Sequence, residues 1–150
     1  GNVKWADRYA GHKELNCATD LGDFLVRGVE EVFSYHLANV VDDADFGITD
    51  VIRGADLMES TGCHIVLQRA LQFKPVQYGH LPIALSEDGI KLSKQTHARP
   101  LEVAEASACI QRVLEHLGMP SVELDAPAVM LSTAVSLWRS SSSINPRGRQ

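Results

Sequence analysis

No run of apolar residues in this 150-residue chain is long enough to span a bilayer, and no basic stretch followed by an apolar one opens it. These absences point to a soluble, cytoplasmic protein without a membrane partner. Cysteine is scarce: Cys17, Cys63 and Cys109 are odd in number, far apart and without a Cys-x-x-Cys pair. That pattern excludes a disulfide framework or a compact zinc module and leaves reduced thiols as the expectation. Nor is there a surplus of positive charge. Fourteen Lys and Arg stand against nineteen Asp and Glu, a formal charge of −5. Bulk electrostatics therefore cannot hold nucleic acid, and any RNA contact has to be regional. No internal repeat is visible, and Gly1 stands where an initiator Met would, so the opening reads as the interior of something longer.

What is present is core material. At 45% hydrophobic, the chain can build one domain with a sizeable core, alone or with a small appendage. Residues 3–5 suit a short strand, followed by a turn through Asp7, Arg8 and Gly11. Residues 23–27 have an apolar centre closed by Gly28 and are expected as a strand, with Glu30 and Glu31 in a polar turn. Residues 48–52, between Gly47 and Gly54, form the most strand-like segment. Ser60 and Thr61 give a helix N-cap signal, with Ile65, Leu67, Ala70 and Leu71 as one buried stripe that ends before Pro75. Over 76–85 the chain returns to the sheet, with 81–85 as a strand. The alternation predicts a parallel α/β sheet. Beyond Pro100 the pattern is helical: 104–117, with Ala108, Val113, Leu114 and Leu117 on one side, then a helix capped by Asp125 and running to Trp138. The expected organisation is an α/β unit over 1–100 that ends in a linker at 96–100, a helical segment over 101–139 and a disordered tail over 140–150.

Chemistry concentrates in a few places. Gly89-Ile90-Lys91-Leu92-Ser93-Lys94-Gln95 sets two lysines three apart on a short loop, with a glycine before them and a serine between. Lysine delivers a compact point charge on a flexible stem, which suits a polyphosphate, although such a loop is also a common solvated turn. Arg53 stands at the end of the 48–52 strand, where open α/β sheets bind ligands, and is equally suited to an ion pair with Asp50 or Asp56. Tyr35 offers a neutral phenol, or a core aromatic with a satisfied hydroxyl. Asp42 and Asp43 invite a metal or acid-base role, but adjacent aspartates more often cap helices or fix turns. Cys63 and His64 lack the further ligands that zinc needs.

Lys91-Leu92-Ser93-Lys94-Gln95 resembles the KMSKS signature of class I aminoacyl-tRNA synthetases, and the preceding Leu81-Pro82-Ile83-Ala84-Leu85 looks like the segment that leads into it in the glutamyl branch. Two earlier stretches resemble the same branch in the same order: Phe33-Ser34-Tyr35-His36-Leu37-Ala38-Asn39-Val40-Val41-Asp42-Asp43, and Gly47 through Arg53-Gly54-Ala55-Asp56-Leu57. Within that branch the resemblance is greatest to the short glutamyl-Q synthetases. It implies the C-terminal half of a Rossmann-type catalytic domain with a KMSKS-like loop, then a small helical segment. The implied reaction is ATP-dependent activation of glutamate, with Mg2+ accompanying ATP, and transfer to the queuosine base of tRNA(Asp), or to tRNA(Glu) in an ordinary glutamyl-tRNA synthetase. A non-catalytic nucleotide- or RNA-binding half-domain is the remaining reading. By resemblance, Lys94 and Lys91 are catalytic and bind ATP together with Ser93, while Tyr35, Arg53 and Asn39 bind glutamate. The aspartate pair is structural in the family. Asn39 is more like the longer synthetases, and Gln95 more like the glutamyl-Q branch. The histidine-glycine ATP signature, and often a zinc module, belong upstream of Gly1, so catalytic competence of this chain alone is not expected.

Overall fold

The computed structural model describes residues 1–96, 98 and 100–140. They fall into two compact units, Gly1–Leu81 and the chain from Pro82 onward. His97 and Arg99 of the expected linker, and 141–150 of the expected disordered tail, lie outside the described residues.

The first unit opens with an antiparallel hairpin, β1 (Asn2–Asp7) and β2 (Gly11–Asn16), registered from Asn2 opposite Asn16 to Asp7 opposite Gly11. The strand expected at 3–5 is thus longer on both sides. Its turn is made by Asp7, whose Oδ1 accepts the N–H groups of Tyr9 and Ala10, and by Gly11 at φ +74°. Asn16 then caps a π turn over Cys17–Leu21, accepting from Ala18 and Thr19.

The strand expected at 23–27 does not form. Only Arg27 makes a bridge, to Phe33, across a turn in which Gly28 donates to the Val32 carbonyl and Glu31 takes φ 61°. The opposite side of that bridge turns into a helix at Tyr35, so the ladder cannot grow outward. Helix α1 (Tyr35–Asp45) follows, with Ser34 Oγ accepting from the Leu37 N–H. Asp42 and Asp43 lie inside its last turns, and their carbonyls accept the N–H groups of Phe46 and Ile48 in the turn that ends it.

β3 (Asp50–Gly54) and β4 (Gln77–Leu81) pair in parallel, Asp50 opposite Gln77 through Gly54 opposite Leu81, with α2 (Met58–Ala70) as the crossover. This β3–α2–β4 unit is what the expected parallel sheet amounts to among the described residues. β4 stops at Leu81, and the strand expected at 81–85 is absent, because Pro82 has no N–H to give a ladder. Ser60 and Thr61 are not caps: a 3-10 turn at Ala55–Leu57 starts α2 earlier, at Met58, and Thr61 is fully buried. The expected stripe is also revised. Ile65 and Leu67 are buried, but Ala70 and Leu71 are exposed, and Thr61 through Ile65 are buried without a break. Such a helix is packed on more than one side, here by α1, β1 and the π turn. Gly62 permits the last of these, since a Cβ there would lie 2.7 Å from Leu21 Cδ2. Val3, Ile65 and Tyr78 centre the core, with Trp5, Leu21 and Val51 against them.

In the second unit, residues 84–92 make a small hairpin. Leu92 donates to Ala84, Ser86 to Ile90, and Leu85 bridges to Lys91 around Gly89 at φ +75°. Helices α3 (Ala106–His116) and α4 (Pro127–Ser140) enclose Leu114, Met119, Val122, Met130 and Ala134. Ala108 and Val113, expected inside, are exposed; Leu117 packs with the Leu114 cluster as expected, and Ile110 joins it. Asp125 precedes α4, and its carboxylate accepts the Ala126 N–H at 2.6 Å. Among the described residues, no helix is long and apolar enough to cross a membrane.

Candidate active site

Arg53 sits next to the last residue of β3 and points its guanidinium into the first unit. Its Nε donates to His80 Nε2 at 3.2 Å, and its Nη2 donates to the Leu57 carbonyl at 3.1 Å and to Thr61 Oγ1 at 2.8 Å. The same guanidinium lies 5.6 Å from the Tyr78 ring centroid. Parallel pairing sets Arg53 opposite His80, and the 3-10 turn brings Leu57 and Thr61 back over it. Arginine has five N–H groups; three are used here, and the two on Nη1 have no partner among the described residues. Asp50, one of the two aspartates expected as its ion-pair partner, pairs with Arg8 instead.

Behind Arg53 is a buried pair. Asp7 Oδ2 lies 2.5 Å from His80 Nδ1, with neither side chain exposed. Asp7 Oδ1 also accepts the N–H groups of His80, Tyr9 and Ala10. Burial pushes the Asp7 carboxyl up, but the His80 hydrogen bond and the backbone donors outweigh it and hold the group below its ordinary value.

The remaining predicted residues divide. Tyr35 and Asn39 lie one turn apart on α1, Tyr35 more than half exposed and Asn39 half-buried. The Tyr35 ring is 5.5 Å from that of His36 and 5.8 Å from that of buried His64. Burial, then the charge of Arg53, then His36, lower the His64 imidazole to about 4. Tyr78 is raised, first by burial, and its environment includes Arg53, Asp43 and Tyr35. Arg53 and Tyr35 thus both lie within electrostatic range of Tyr78. Asp43 is raised by burial, opposed by Arg53.

Lys91, Ser93 and Lys94 are in the second unit, at the end of the 84–92 hairpin. Ser93 and Thr96 close this loop: the Ser93 N–H donates to Thr96 Oγ1 at 3.0 Å, and Thr96 Oγ1 lies 3.0 Å from the Lys91 carbonyl. Lys94 is exposed. A cleft of about 420 Å³ elsewhere in the first unit is lined by Trp5, Gln68, Arg69, Phe73 and Tyr78 among others, and holds none of the predicted site residues.

Residues 1–112 match the model of the class I tRNA synthetase catalytic domain for E and Q. The chain belongs to that family. A glutamyl-Q tRNA(Asp) synthetase of Synechococcus is 47% identical over 81% of this chain, and one of Acinetobacter baylyi is 44% identical over 89%. The alignments cover 41% and 46% of those relatives, so the chain spans less than half their length. Among solved structures, a glutamate tRNA ligase from Elizabethkingia meningosepticum, in complex with its amino acid, is 31% identical with a TM-score of 0.58, over 63% of this chain and 19% of that one. The β3–α2–β4 unit is thus part of a Rossmann-like class I synthetase domain.

Resemblance reached Arg53 and Tyr35 in this synthetase chain but not Asp7, Thr61, Tyr78 or His64. His80 belongs to none of the motifs singled out above and stands just before the expected 81–85 strand. Among the described residues, no three His, Cys, Asp or Glu side chains converge on a metal-sized site. These residues therefore offer no protein cage for the Mg2+ that the family implies.

Proposed function

We propose that the protein carrying this chain activates glutamate with ATP and passes the glutamyl group to the queuosine base of tRNA(Asp). In the first step a glutamate carboxylate oxygen attacks the α-phosphorus of ATP, the bond to the leaving pyrophosphate breaks, and glutamyl-adenylate forms. In the second, a nucleophile on the modified base takes the acyl group, and AMP leaves. The observation that carries this reading is the Arg53 guanidinium, fixed by three acceptors, with the two N–H groups of Nη1 unpartnered among the described residues and suited to a carboxylate. Tyr35 and Asn39 supply polar contacts to the same amino acid. In-line phosphoryl chemistry asks the protein mainly to position reactants and balance charge. Lys94 meets the charge that develops on the leaving pyrophosphate, Ser93 binds phosphate through its hydroxyl, and Lys91 supports the loop. Mg2+ comes with the ATP phosphates.

The 35–47% identity to relatives named glutamyl-Q tRNA(Asp) synthetase supports tRNA(Asp) as the acceptor. The test uses the whole protein. Glutamate-dependent exchange of labelled pyrophosphate into ATP is expected, followed by labelled glutamate on queuosine-containing tRNA(Asp) and none on tRNA(Asp) lacking queuosine. Transfer to tRNA(Glu) would instead make it an ordinary glutamyl-tRNA synthetase. No exchange with glutamate would leave a binding module.

A further inference from the structure

We infer that the Asp7–His80 pair is a positioning device for Arg53, holding His80 in the one tautomer that can accept the guanidinium Nε–H. This role rests on the proposed glutamate reading and deepens it. The argument is one of donors and acceptors. Arg53 Nε is always a donor, so the atom 3.2 Å from it, His80 Nε2, has to carry a lone pair. The imidazole proton is then on Nδ1, where Asp7 Oδ2 accepts it at 2.5 Å. Asp7 cannot turn away, because its other oxygen is fixed by the backbone N–H groups of Tyr9, Ala10 and His80 at 2.9–3.1 Å. The carboxylate thus dictates the tautomer, and the tautomer dictates where Arg53 is held. With Nε and Nη2 tied to His80, Thr61 and Leu57, Nη1 is what remains for a ligand. Neither Asp7 nor His80 needs to touch substrate. Their negative charge, two hydrogen bonds behind the guanidinium, also compensates its burial before any ligand arrives.

The experiment compares four whole proteins: wild type, Asp7→Asn, His80→Gln and His80→Leu. Asp7→Asn keeps an oxygen for the backbone donors but turns an amide N–H toward Nδ1. His80 is then driven to the Nε2–H tautomer, which meets Arg53 donor to donor. Charge-assisted hydrogen bonds of this kind correspond to roughly 10- to 100-fold in binding. Asp7→Asn and His80→Leu are therefore expected to raise the KM for glutamate by about that factor, while kcat and the KM for ATP stay within about threefold. His80→Gln, which restores an oxygen acceptor, is expected to recover most of the loss. An unchanged glutamate KM, or a loss shared equally by the ATP KM and kcat, overturns the inference. Nitrogen-15 NMR of the wild-type protein at neutral pH supplies a measurement that does not depend on a variant folding. A bare Nε2 and a protonated Nδ1 on His80 are expected; a proton on Nε2 overturns the inference. If the wild type shows no glutamate-dependent exchange, the functional reading fails, and the NMR result still decides the tautomer.

Discussion

The imidazoles of His36 and His64 meet between α1 and α2, Nδ1 to Nε2 at 3.3 Å, with ring centroids 5.4 Å apart. His64 is fully buried, and its Nδ1 has no partner among the described residues. Leaving a bare lone pair there costs less than leaving an N–H, so His64 donates from Nε2 to His36.

Acid is expected to destabilise the protein through this histidine. His64 titrates at about 4 when folded and near 6.5 when unfolded, so the unfolded chain binds the extra proton in between. Stability contributed by neutral His64 is complete above 6.5 and is lost as pH falls toward 4, on the order of 3 kcal/mol in all. Asp7, held below its ordinary 3.8, adds a loss at still lower pH, whereas Asp43, raised by burial, acts in the opposite sense just above 3.8. Denaturant midpoints between pH 7 and 4 should show the decline, and His64→Gln should flatten it. A decline of equal size in His64→Gln would contradict the assignment.

Arg53→Lys is expected to cut kcat/KM for glutamate by roughly 10²-fold, because a lysine cannot reach His80, Thr61 and Leu57 together while keeping a nitrogen for the ligand. Pyrophosphate exchange at varied glutamate measures it, and the ATP dependence should hardly change.

Lys94→Ala should lower kcat by about 10²-fold with the glutamate KM almost unaltered, as expected of a charge that acts on the leaving group. Wild-type turnover in this variant would remove Lys94 from the mechanism.

Gly79→Ala tests the packing beneath the site. A Cβ at Gly79 would lie 2.8 Å from Ile52 Cδ1 and 3.0 Å from the Tyr9 ring. The ring is rigid and the strand is paired, so a loss of about 1–3 kcal/mol in unfolding free energy is expected by chemical denaturation.

The parts legible in the sequence were those with local causes. Gly47 and Gly54 bracket β3, and Gly118 with Pro120 closes α3; both elements lie within a few residues of their expected places. Local propensity misled where a partner was missing, as at 23–27, or where a turn upstream took over the helix start, as at Ser60 and Thr61. The place of Arg53 near the end of β3 was legible from the flanking glycines. Its support was not: Asp7 and His80 are 73 residues apart, and nothing near either announces the other. Tyr78 reads as an ordinary strand aromatic until Gln68 Nε2 is seen donating to its hydroxyl at 3.0 Å.

The Asp7 carboxylate closes the β1–β2 turn with one oxygen and faces the imidazole with the other. Closing the hairpin and readying Arg53 are consequently a single event. A change that loosens the β1–β2 turn is therefore felt at Arg53 as well, although the two lie far apart in the chain.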